Sequence, residues 1–393
     1  MAAAKPETRT YLDYNATAPI RPEARTAVIA AMETIGNPSS VHAEGRAARR
    51  IVEEARAEVA RLAGVPARCA TFASGATEAV NVVLNPRFGV RAMAPSLDRL
   101  IVSAGEHPCV LQGHRFPASA IEVAPLAVDG RIDLDWLAES CRRPGRPLLA
   151  LQGANNETGV IQPVAEAAAL VHAAGGFVFC DAVQLAGRLD FSVAALGADA
   201  LALSAHKIGG PKGAGAIVVA NVDVGLGEPL IRGGGQERGL RAGTESVASI
   251  AGFGAAARGA LGDPPFERRR LLALRDRLAE RVRDAVPEAV VFGAAAPRLP
   301  NTLCFAAPGV EAATLMIALD LAGVAVSSGA ACSSGKVTPS HVLAAMGVAP
   351  GLARGAIRVS LGWGSSENDV ERFGEAFAGA IRRMRAGWAG AAV

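Results

Sequence analysis

Apolar residues recur along the chain at two spacings. Ile51, Val52, Ala55, Val59 and Leu62 fall at helical intervals and stop at Gly64, which predicts a helix closing there. Six short runs follow: T-F-A (71–73), L-I-V-S (100–103), L-L-A-L (148–151), F-V-F-C (177–180), L-A-L-S (201–204) and A-I-V-V-A (216–220). Each is apolar on both faces, and polar or helical stretches separate them. That is the pattern of a buried, largely parallel sheet with helices on both sides. From about residue 267 the rhythm changes. Leu271, Leu274, Leu278 and Val282 stand at helical spacing with charges on the other faces. They predict a long helix that leads into a second, smaller domain ending near 390; a further helix of the first domain is the plain alternative.

Composition narrows the class without naming a function. The 393 residues are 50 % hydrophobic and 20 % charged, enough for one large domain and a smaller one. With 40 basic and 37 acidic residues the net charge is +3, too evenly spread to form a nucleic-acid footprint. No run approaches the ~20 apolar residues of a membrane span, and the N-terminus lacks a signal-peptide core, so a cytoplasmic protein is expected. The six cysteines include no C-x-x-C pair, so neither a zinc site nor a disulfide framework is indicated. Cys180 and Cys304 lie in apolar runs and read as small buried hydrophobes. Cys332 stands apart in S-S-G-A-A-C-S-S-G (327–335), among small and hydroxyl-bearing residues that give it nothing to bury.

The residues that follow the apolar runs carry the chemistry. S-G-A-T-E follows the first run and Glu106-His107 the second. Asn155-Asn156-Glu157, then Asp181 and Gln184, then His206-Lys207 follow the next three. Ligands bind outside the carboxyl ends of strands in open α/β sheets, so five polar groups at that edge indicate a single site. A lone lysine is usually a surface cation. Lys207, however, directly follows a buried strand, and lysine forms Schiff bases with pyridoxal phosphate. Asp181, at the end of the preceding run, is the acid that such a cofactor's ring nitrogen needs. Ser74-Gly75-Ala76-Thr77 opens a helix whose N–H groups suit a phosphate, although a glycine turn explains that stretch nearly as well. His107 either lies over the ring or is a satisfied polar group. Together these residues read as a pyridoxal-phosphate lyase or transferase.

A wider set of motifs appears in order: Y-L-D-Y-N-A-T (11–17), G-N-P-S-S (36–40), S-G-A-T-E (74–78), E-H-P (106–108), N-N-E-T-G (155–159) and D-A-V-Q (181–184). S-A-H-K-I-G-G-P-K-G (204–213), G-G-G-Q-E-R-G-L-R-A-G-T (233–244), the Cys332 stretch and R-V-S-L-G (358–362) complete it. From about residue 11 to 385 the chain resembles cysteine desulfurases of the NifS/IscS type, within the class V aminotransferases. The stretch around Cys332 resembles the group with a long catalytic-cysteine loop. The resemblance implies fold-type I of the pyridoxal-phosphate enzymes: a mainly parallel seven-stranded sheet flanked by helices in a large domain, 16–264. A smaller α+β domain, 1–15 with 265–393, would carry the cysteine loop at about 327–337.

The same resemblance implies roles at matching positions. Lys207 would be the Schiff-base lysine, Asp181 the partner of the pyridine nitrogen, Gln184 the donor to the phenolate oxygen, and His107 the ring that stacks on the cofactor. Ala76, Thr77, Ser204 and His206 would hold the phosphate, with Thr244 supplied by the neighbouring subunit of a homodimer. Asn156 and Arg358 would grip the substrate carboxylate, a task that suits a planar guanidinium. Lys207, once displaced by L-cysteine, would move protons between carbons, and Cys332 would attack the substrate sulfur to leave L-alanine and a persulfide. The persulfide would pass to a transient acceptor such as an iron–sulfur scaffold. E-H-P, N-N-E-T-G and D-A-V-Q look closer to the nitrogen-fixation branch, and the short end R-A-G-W-A-G-A-A-V leaves the acceptor open. A selenocysteine lyase would use the same site. A class V aminotransferase or kynureninase-like lyase would share Lys207 and Asp181 but have no use for Cys332. A silent sulfur-transfer scaffold would have lost the lysine or the cysteine.

Overall fold

The computed structural model describes residues 9–89, 96–262, 265–328 and 340–391, with side chains to 385. Its strands, in chain order, are β1 (Thr10–Tyr11), β2 (Ala70–Ala73), β3 (Arg99–Ser103), β4 (Ile121–Ala124), β5 (Pro147–Gln152), β6 (Phe177–Asp181) and β7 (Ala200–Ser204). Then come β8 (Gly215–Val219), β9 (Val290–Val291), β10 (Thr302–Ala306), β11 (Val324–Ala325), β12 (Ser327–Ser328) and β13 (Ala356–Ser360). Strands β2 to β8 form one sheet in the order β2-β8-β7-β6-β5-β3-β4. Every pairing is parallel except the two made by β8.

All six apolar runs are strands of this sheet. Both its faces are covered, which is why the runs do not alternate with polar residues. On one face pack the helices Ala43–Leu62, Val164–Ala173 and Val247–Gly262; on the other, chiefly Ala76–Val83. The helix Ala43–Leu62 buries Val52, Ala55, Val59 and Leu62, as their spacing predicts. It ends where Gly64 takes φ +73°, a left-handed conformation that favours glycine. Packing against it is close: a Cβ on Gly254 would lie 2.5 Å from the Cα of Ala55.

The helix Pro265–Ala285 turns its apolar stripe to a separate core. Leu271, Leu274, Leu278 and Val282 meet Leu303, Phe305, Ile357 and Val359 from the antiparallel sheet β12-β13-β10-β9. Phe373 and Phe377, from the helix Glu367–Ala391, close that core edge-on against Phe305, the second at 5.5 Å. Each such fully buried side chain contributes roughly 1.5–3 kcal/mol of apolar burial. The start of the chain joins this end: β1 pairs in parallel with β11, and Asp13 bridges to Ser360. Among the described residues, no helix is long and apolar enough to cross a membrane.

Candidate active site

Because β3, β5, β6 and β7 run parallel, their carboxyl ends open on one edge of the sheet. A cavity of about 590 Å³ lies there. It is lined by Ala76, Thr77, His107, Asn156, Asp181, Gln184, Ser204, His206, Lys207 and Arg358, gathered from positions up to 282 residues apart (358 − 76).

Lys207 sits in a single 3₁₀ turn, Ala205–Lys207, that follows β7. Its Nζ donates to the backbone carbonyls of Asn15 (2.6 Å) and Ala16 (2.9 Å), which also line the cavity and hold the amine at its wall. Asp181 ends β6, directly opposite Gln152 on β5, and accepts the Val183 N–H at 3.0 Å. Burial raises its carboxyl above the ordinary range, opposed by the Val183 N–H and the nearby His107 and Lys207. A cation delivered beside it would restore the anion. His107 caps the helix Pro108–Gln112 through Nδ1, which accepts the Cys109 N–H at 3.1 Å and so fixes the ring plane. Burial lowers its pKa, leaving a neutral imidazole at pH 7. Gln184 donates from Nε2 to the Asn15 carbonyl at 3.2 Å, while its Oε1 is buried with no partner among the described residues.

Arg358 lies in β13 and is fully enclosed, not the exposed strand arginine that its position alone would allow. Nη2 pairs with Asp13 Oδ1 at 2.8 Å and Nη1 donates to the Asn156 carbonyl at 3.0 Å, while Nε has no partner among the described residues. The helix Ala76–Val83, whose first residues also line the cavity, starts without a side-chain cap, so its first N–H groups lack that partner. Ser204 and His206 flank that opening, and His206 is held to Thr17 Oγ1 at 3.2 Å. The fit is close, since β8 passes the turn at Gly215, where a Cβ would lie 2.6 Å from the Gly75 backbone.

Other residues lie elsewhere. Thr244 is exposed and outside the cavity of its own chain. Cys332 lies outside the described residues. Glu157 turns away from the cavity and takes a hydrogen bond from Ser340, and burial pushes its carboxyl up to about 7. Glu106 is fully buried behind His107, accepting the Gln152 N–H at 2.8 Å. Burial first, and the charge of Asp181 after it, hold that carboxyl well above the usual range against the Gln152 N–H. Asp13, Asn15, Thr17 and Cys109 have no part among the roles expected from the sequence. The first three lie in Y-L-D-Y-N-A-T, whose polar residues after a strand were the available signal. Cys109 borders the cavity from the helix that His107 caps.

The aminotransferase class-V family model matches residues 10–373, and the chain belongs to that family. Within it, the similar proteins are cysteine desulfurases. One from Cereibacter sphaeroides is 40 % identical over 96 % of this chain and 97 % of its own. An IscS-like cysteine desulfurase of Mycobacterium tuberculosis is 38 % identical over 95 % and 97 %. Among solved structures, a NifS-like protein from Rickettsia africae superposes with TM-score 0.85 at 32 % identity, covering 95 % of this chain and 99 % of that one.

The cofactor of this family is pyridoxal 5'-phosphate, and the residues present fit it. The cavity has the size of a small-molecule site. It places an amine, a buried acid, a neutral flat ring, an orphaned amide oxygen and an uncapped helix start around one volume.

Proposed function

We propose a division of labour for the removal of sulfur from L-cysteine, the reaction of this pyridoxal-phosphate-dependent desulfurase. The observation that carries it is the convergence of Lys207, Asp181, His107 and Arg358 on one cavity. Lys207 would hold the cofactor through Nζ, Asp181 would partner its ring nitrogen, His107 would stack on it, and Gln184 would serve its phenolic oxygen. Ala76, Thr77, Ser204 and His206 would receive the phosphate, joined by Thr244 from the neighbouring subunit of a homodimer. The bound cofactor supplies an electron sink for the pair left at the substrate α-carbon.

Arg358 and Asn156 orient the substrate carboxylate. Lys207, once released, takes the α-proton and later returns a proton to carbon. The Cys332 thiolate forms an S–S bond to the substrate sulfur as the C–S bond breaks and its electron pair stays with carbon. Protonation of that carbon completes L-alanine, and Cys332 keeps the persulfide for a transient acceptor protein such as an iron–sulfur scaffold. We read the chain as two units, 16–264 and 1–15 with 265–393, working in the cytoplasm. In this account Lys207→Ala forms no alanine from L-cysteine and Cys332→Ala loses sulfur transfer but keeps the visible cofactor band. Alanine formation by Lys207→Ala at the wild-type rate would refute the role of Lys207.

A further inference from the structure

One charged group in the cavity has no task in this scheme. Lys212, five residues beyond Lys207 in S-A-H-K-I-G-G-P-K-G, is exposed and lines the cavity with Gly213. It shares the cavity lining with Ser74, Gly75, Thr77, Ser204 and His206, and its charge acts on the His206 imidazole. Among the described residues its ammonium has no hydrogen bond or ion pair.

The charge balance beside those residues is incomplete without it. A phosphate monoester carries roughly −1.5 to −2 at neutral pH, while a helix start offers only about half a positive charge. His206 adds no charge: burial, then Lys207, then Lys212 lower its imidazole to about 4, so it is neutral at pH 7. Arg188 is spent on the carbonyls of Val183, Gln184 and Tyr14. Arg241 is paired with Glu78 at 3.1 Å, and those two charges cancel on the first turn of the helix. Lys207 is held by the carbonyls of Asn15 and Ala16, and its amine is the group that would bond the cofactor's aldehyde.

We propose that Lys212 is the cation that pairs with the cofactor's phosphate, its long side chain reaching in from the rim of the cavity. The assignment rests on the pyridoxal-phosphate reading of the site. It also gives the G-G-P-K-G turn a function: the glycines and proline hold the backbone near the cradle, and the lysine supplies charge from a position open to solvent. A flexible ammonium suits this task, since a phosphate asks for a point charge from any direction.

The test compares two ligands that differ only in the phosphate. Apo-protein of wild type, Lys212→Met and Lys212→Arg is titrated with pyridoxal 5'-phosphate and with pyridoxal, following the visible absorbance of the bound form. Lys212→Met is expected to bind pyridoxal 5'-phosphate roughly tenfold more weakly, the worth of one charge-assisted hydrogen bond. The gap should narrow at high salt, pyridoxal affinity should not change, and Lys212→Arg should stay near wild type. Equal affinity of Lys212→Met and wild type for pyridoxal 5'-phosphate overturns the proposal, as does an equal loss for both ligands. A wild-type apo-protein that takes up neither ligand would instead refute the cofactor reading.

Discussion

Arg358 shows how a single buried charge is kept available. A guanidinium taken out of water is costly unless paired, and here Asp13 and the Asn156 carbonyl satisfy two of its nitrogens. A substrate carboxylate arriving at the cavity finds a cation already oriented. Arg358→Lys loses the planar fork, so KM for L-cysteine should rise about tenfold or more while the cofactor stays bound; an unchanged KM would remove Arg358 from substrate binding. A second buried group, Glu157, sets a pH dependence. Its carboxyl ionises near 4.5 in the unfolded chain and at about 7 in the fold. The folded pKa is the higher one, so its stabilising effect is complete below 4.5 and falls as pH rises to about 7, by up to about 3 kcal/mol. Glu157→Gln should flatten that part of the stability profile, measured as Tm against pH; parallel profiles would show that Glu157 ionises normally. Placement on the cavity was legible where a polar residue follows a strand, as at Asp181 and Lys207. Pairings were hidden where a partner lies far along the chain: Asp13 and Arg358 are 345 residues apart, and no local pattern announces such a pair.

At the scale of elements, the site depends on how closely β8 passes the start of the helix Ala76–Val83. Gly215 is the contact point, and an added Cβ would meet backbone, which cannot swing aside as a side chain can. Gly215→Ala should therefore displace the cradle and lower cofactor retention through dialysis, with the fold kept by circular dichroism. Full retention would mean that β8 does not set the cradle. The apolar runs revealed β2, β3 and β5 to β8 because strands buried on both faces have no room for polar side chains. β4 escaped because it is an edge strand of four residues, Ile121–Ala124, with Glu122 in it and only Ala124 buried. The antiparallel course of β8 was equally hidden, since burial on two faces reads the same in either direction. The periodic stripe of Pro265–Ala285 was clear, and the core it faces became visible only in three dimensions.

At the scale of the molecule, the site is assembled where both ends of the chain meet the large sheet. β1 pairs with β11 and sends residues 13 to 17 across to the sheet edge, where Asn15 and Ala16 hold Lys207 and Thr17 holds His206. From the other end β13 brings Arg358, and β12 pairs beside it just before the stretch that contains Cys332. Ser340 and His341, where the described chain resumes, are tied to Glu157 and to the Glu106 carbonyl. Both flanks of that stretch are thus tied to Arg358 or to residues next in sequence to those lining the cavity. The most direct measurement is the intact mass of the holoenzyme after brief exposure to L-cysteine without reductant, for wild type and Cys332→Ala. A gain of about one sulfur atom is expected in the wild type and none in the variant. An equal gain in both, or no gain in a wild type that carries its cofactor, would contradict the assignment of the persulfide to Cys332.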